Sequence, residues 1–127
     1  MTQSQAALMK TLNACVERSE RIDVVRIGSG AMADAGSLFR STYGSRRALI
    51  VADENTFSAA GEALVAALGG AGIKTRTHVL AAAPRPKPSV EIARTVADAV
   101  GPDETPVAIG SVVLNVLSLF SAHIKGR

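Results

Sequence analysis

A chain of 127 residues is long enough for one domain with a real core and too short for a two-domain enzyme. Hydrophobic residues make up 47% and aromatic ones only 3%, which excludes disorder and calls for a core of Ala, Val, Leu and Ile, the kind that suits a parallel sheet under helices. The net charge of +3 is too small and scattered for a nucleic-acid surface. The single cysteine, Cys15, excludes an internal disulfide and, with no metal-like Cys/His spacing, fits a reducing cytoplasm; no segment is apolar enough to be a signal peptide or to span a membrane.

In chain order, Leu8, Leu12, Cys15 and Val16 recur at the spacing of one helix face, capped by Thr2 or Ser4, with Cys15 expected in that stripe as a small hydrophobe. Ile22 to Ile27 reads as a strand. It leads into Gly28-Ser29-Gly30-Ala31-Met32-Ala33, which opens a helix with Ala35, Leu38 and Phe39 inward. Taken alone, this G-x-G-x-x-A turn has the form of a dinucleotide fingerprint, with Asp53 downstream at the end of the next strand, Ala48 to Ala52. A carboxylate at that position can accept both hydroxyls of an adenosine ribose, and Asn55 can add a hydrogen bond. Alternatively, Asp53 or Asn55 caps the helix Thr56 to Leu68, and the two roles are compatible.

That helix is expected to bury Phe57, Ala60, Leu64, Ala67 and Leu68 and to stop at Gly69-Gly70. Lys74 to Leu80 reads as a strand near an edge, with His78 a partly solvated strand residue rather than a metal ligand, since no second histidine or carboxylate is spaced to join it. The three prolines in Ala81 to Pro88 make a crossover loop, whose Arg85 and Lys87 either reach a phosphate or stay solvated. Ser89 caps a helix, Val90 to Val100, with Ile92, Val96 and Val100 on the sheet side, ended by Gly101-Pro102-Asp103. A last strand, Val107 to Ile109, breaks at Gly110-Ser111 into a helix, a turn that offers unpaired N–H donors to a phosphate. The order predicts an α/β fold: a Rossmann-like three-layer sandwich on a mostly parallel sheet of about four to five strands.

Asp53-Glu54-Asn55 after a strand, Pro86-Lys87-Pro88 before a helix, and Gly110-Ser111 followed by Leu114-Asn115 and Ser121-Ala122-His123 resemble the N-terminal half of the sn-glycerol-1-phosphate dehydrogenases. That family belongs with the iron-containing alcohol dehydrogenases, glycerol dehydrogenases and dehydroquinate synthases. The resemblance implies an NAD(P) site made by Asp53 and Asn55 on the ribose and Gly110 and Ser111 on the pyrophosphate, and a glycerol-1-phosphate or dihydroxyacetone-phosphate oxidoreductase. The family's metal ligands lie in a helical C-terminal domain outside this chain, so no catalytic or metal-binding residue is expected within it.

The chain departs from the family turn, which usually reads like G-S-G-T-[IL]-N-D-L-x-K. Val112 stands for a glycine, Val113 for threonine, Val116 for aspartate and Leu119 for a lysine or polar residue. Two valines put branched side chains where the phosphates would lie, so nucleotide binding should be weakened or lost. Such replacements point to a truncated, engineered domain without catalysis of its own. They also make a helix apolar over most of its circumference, which predicts a homodimer through Val112, Val113, Val116, Leu117, Leu119 and Phe120; the alternative is cover by the N-terminal helix of the same chain.

Overall fold

A computed structural model describes residues 3–19, 24–26, 28, 30–81 and 89–110. The chain divides into two compact units, Met1–Ala31 and Met32–Arg127.

The first unit carries α1, Gln3–Arg18. Leu12 and Val16 are half-buried, but Leu8 and Cys15 are exposed. The expected place of Cys15 under cover is thus corrected: so few residues have too little apolar surface to close over a whole helix face. Residues 24–26, the described part of the expected strand Ile22 to Ile27, are irregular and pair with none of the described strands. Without a ladder partner, β-branched residues do not make a strand.

In the second unit a 3-10 turn, Ala31–Asp34, with Ala31 at the boundary, leads into α2, Ala35–Tyr43. There follow β1, Arg47–Asp53; α3, Glu54–Thr56; a π-helical turn, Phe57–Gly61; α4, Glu62–Gly70; β2, Thr75–Leu80; α5, Val90–Ala99; and β3, Glu104–Ala108. The sheet is parallel in the order β2-β1-β3, with Val51 opposite both His78 and Ala108. Its three described strands are fewer than the four to five expected, while the Rossmann-like architecture is as the sequence predicted.

Alternation along β1 sends its side chains to two cores. Ala48 and Ile50 pack with Phe39 of α2 and with Leu64 and Leu68 of α4. Leu49 and Val51 face the other way, onto Val96 of α5 and Val100. Helices therefore cover both faces, and β1, buried from Ala48 to Ala52, is the centre of the unit. Each fully buried Leu, Ile or Val contributes about 1.5–3 kcal/mol by leaving water.

Local chemistry fixes the ends. Gly44 closes α2 at φ 64°, its N–H donating to the Arg40 carbonyl. The Ser89 hydroxyl accepts the N–H of Ile92 at 3.2 Å and starts α5. Gly36 lets α2 approach α4 so closely that a Cβ there would stand 2.5 Å from the Ala67 carbonyl oxygen. In the π turn, the Phe57 ring lies where a side chain on Gly61 would be, its nearest carbon 2.3 Å from that position. The helix of 54–70 thus begins with a wide turn shaped by one ring over one glycine, a form often found beside functional edges.

Candidate functional site

The chain crosses from β1 through α3 and α4 to β2 on one side, then returns through α5 to β3 on the other. Strand order therefore reverses between β1 and β3. In open α/β sheets the crevice outside the carboxyl ends of such a strand pair is where ligands bind, because the two connections leave toward opposite faces and the loops part there.

Asp53 is the last residue of β1, and Gly110 follows β3 by two. Ala108 pairs with Val51, and the N–H of Ile109 donates to the Val51 carbonyl at 2.9 Å, so the ladder carries Gly110 to the same edge as Asp53. Gly110 is exposed with φ 140°, a backbone conformation that side chains disfavour. Asn55 is exposed in the first turn of the helix that leaves β1. Ser111 and Val112 to Phe120 lie outside the described residues, as do Arg85, Lys87 and Ser121 to His123.

The half-buried Asp53 does cap its helix. Oδ1 accepts the Thr56 N–H at 2.7 Å, and the Asp53 N–H donates to the Thr56 hydroxyl at 3.0 Å. Thr56 fills the place in this capping box where Glu or Gln is usual. The cap uses Oδ1 and leaves Oδ2 without a hydrogen bond from the described residues. The cap therefore occupies one carboxylate oxygen and is chemically compatible with a second role for the other.

The glycine turn upstream fares differently. Gly28 and Gly30 do adopt positive φ, 138° and 81°, but residues 24–26 before them form no strand, and the chain beyond enters a 3-10 turn before α2. A dinucleotide fingerprint needs the strand that aims its glycines at the pyrophosphate. His78 is half-buried on the α5 side of β2, its Nε2 enclosed and without a hydrogen-bond partner among the described residues. No group of three or more His, Cys, Asp or Glu side chains among the described residues is placed to hold a metal.

Sequence reasoning missed the opposite, amino edge of the sheet. Glu104, 1% exposed, opens β3 and accepts Arg76 on both carboxylate oxygens, one contact at 2.6 Å, and the Gly101 N–H at 2.7 Å. Arg76 also donates to the Ala99 carbonyl at the end of α5, at 2.7 Å. The guanidinium hydrogen bonds outweigh burial and hold the Glu104 carboxyl below its ordinary pKa. Nearby, Arg47 pairs with Asp103 at 2.5 Å in a more exposed setting and likewise lowers the Asp103 pKa. These partners are far apart in sequence, so no local spacing announces them.

A 3-dehydroquinate synthase of Rhizobium rhizogenes is 35% identical over 117 residues, 88% of this chain and 31% of the relative. One of Rhizobium etli is 37% identical over the same length, and one of Rhizobium johnstonii is 34% identical over 98% of this chain. The chain is similar to 3-dehydroquinate synthases. It spans about a third of the length of these curated relatives, 31% to 34%. No protein-family model matches the chain, and no solved structure does. The 3-dehydroquinate synthases are one branch of the superfamily suggested by the motifs around Asp53 and Gly110, and none of these three relatives bears the name of a glycerol-1-phosphate dehydrogenase.

Proposed function

We propose that the chain is a partial, nucleotide-binding-type domain of a dehydroquinate-synthase-like protein, with its dinucleotide site at the carboxyl edge between β1 and β3. The observation that carries this reading is the meeting of Asp53 and Gly110 at the point where strand order reverses. An NAD-type cofactor would be held by Asp53 through Oδ2 on a ribose hydroxyl, by Asn55 beside it, and by Gly110 and Ser111 along the phosphates. When bound, such a cofactor supplies hydride chemistry; this chain's residues orient it and perform no bond-making step of their own.

Val112 and Val113 stand against tight binding, because they place branched side chains after Gly110 where the motif otherwise has glycine and threonine. The same run, 112–120, is the proposed surface for self-association. The similarity to 3-dehydroquinate synthases favours that branch over a glycerol-1-phosphate substrate.

Calorimetric titration with NADH tests the site. Weak, saturable heat that Asp53→Asn diminishes is expected. No heat at millimolar NADH, or binding indifferent to both Asp53→Asn and Gly110→Val, would overturn the reading.

A further inference from the structure

At the amino edge of the sheet, away from Asp53 and Gly110, lies a cavity of about 410 Å³ lined by Arg40, Gly44, Ser45, Arg46, Arg47, Gly72, Ile73, Lys74 and Asp103. We infer that this cavity is an anion site for a phosphoanhydride group carrying two or three negative charges.

The charges do not cancel. Four cationic side chains meet one carboxylate there, a formal excess of three. Among the described residues Asp103 forms its ion pair with Arg47. Arg40 donates to the Ala71 carbonyl at 2.6 Å, and Arg46 donates to the Thr105 hydroxyl at 2.8 Å and the Glu104 carbonyl at 2.9 Å. Those acceptors are neutral, so they fix the two guanidiniums without neutralising them. Each guanidinium has five N–H donors, and these contacts leave several for a ligand, already oriented. Lys74 is exposed with no side-chain partner among the described residues.

These cations also answer the carbonyl ends of α2 and α4, which finish at this edge. Each helix end is equivalent to roughly half a negative charge. Two such ends still leave a surplus of about two positive charges, the complement of a phosphate or pyrophosphate and more than a neutral ligand needs. The size lies within the ordinary range for small-molecule sites, about 300–1,000 Å³. The lining contains no aromatic ring to stack on a base and one apolar side chain beyond the glycines, Ile73, so the phosphate groups, not a base, are what the site can recognise. Gly72, at φ 79°, brings its backbone to the guanidinium: a Cβ there would stand 3.0 Å from Arg40 Nη2.

Titration of the whole chain with inorganic pyrophosphate, followed by amide NMR shifts at low ionic strength, tests the assignment independently of the NAD reading. Saturable shifts at Gly44, Ser45, Gly72 and Lys74 are expected, with ADP binding no tighter than pyrophosphate. Lys74→Glu, at an exposed and unpaired position, should weaken binding roughly tenfold at low salt. Asp103→Asn should strengthen it several-fold by releasing Arg47. Absence of saturation, shifts confined to Gly110, much tighter binding of ADP, or indifference to both variants would overturn the site.

Discussion

Asp53 and Thr56 hold each other reciprocally: the carboxylate takes the threonine N–H at 2.7 Å, and the threonine hydroxyl takes the aspartate N–H at 3.0 Å. The pair sits where β1 becomes helix, so its structural and ligand roles can be separated by chemistry. Asn caps a helix about as well as Asp but carries no charge. Asp53→Asn should therefore leave the denaturant midpoint nearly unchanged, whereas Asp53→Ala should lower stability by about 0.5–2 kcal/mol. Urea unfolding of both variants checks this; equal losses would mean that the carboxylate charge, not the cap, supports the fold.

Three glycines of the second unit should respond in opposite senses to the same added methyl. At Gly36 the new Cβ would meet the Ala67 carbonyl oxygen at 2.5 Å, and backbone cannot rotate away as a side chain can. Gly36→Ala should cost about 1–3 kcal/mol by forcing α2 off α4. Gly61→Ala should also destabilise, since the Phe57 ring occupies that space and must leave the half-buried position it holds. Gly69, inside α4, has nothing within 4 Å of the same position and no positive φ. Gly69→Ala should add about 0.4–1 kcal/mol by restricting the unfolded chain. Thermal melts of the three variants decide the matter, and a destabilised Gly69→Ala would contradict the open space beside Gly69.

Glu104 ties acid stability to a single contact set. Its carboxyl titrates lower in the folded chain than its ordinary value of 4.5, first because Arg76 hydrogen-bonds it and despite burial acting the other way. A lowered folded pKa means that the unfolded chain takes up the proton first as pH falls. The contribution is complete above the ordinary value and disappears as pH drops through the lowered one. Urea midpoints should accordingly fall in that acid window, and Glu104→Gln should flatten the dependence there. At neutral pH the same variant should cost about 1–3 kcal/mol, because a charge-assisted acceptor for Arg76 and the Gly101 N–H is lost at a buried position. An unchanged acid profile in Glu104→Gln would assign the window to other carboxylates.

How much of this was legible in the sequence depends on whether the cause was local. The cap of α5 at Ser89, the stop of α4 at Gly69-Gly70 and the buried run of β1 all follow from neighbouring residues, and all are present. The cap at Asp53 is local too, since Thr56 lies three residues on. What the sequence does not announce depends on distance in the chain or on a missing partner. Arg76 reaches Glu104 across 28 positions, and Arg46 reaches Thr105 across 59. The π turn needs a ring on Phe57 to settle over Gly61, which periodicity does not encode. The strand expected from Ile22 to Ile27 had the composition of one, but its described residues have no ladder to join.

The run 112–120 carries the last prediction. It reads Val-Val-Leu-Asn-Val-Leu-Ser-Leu-Phe, with polar side chains only at Asn115 and Ser118. Apolar area covered by a partner stabilises an association by about 25 cal/mol per Å², so a few such side chains supply several kcal/mol toward a dimer. Polar replacements should remove that drive without touching the core around β1, since Val116 and Leu119 lie where the related motif has aspartate and lysine or another polar residue. Sedimentation of Val116→Asp/Leu119→Lys should show a shift from dimer to monomer with the thermal midpoint of the fold retained. If the unaltered chain is already monomeric across the concentration series, the run is sheltered within its own chain, and the double variant should then unfold the domain instead.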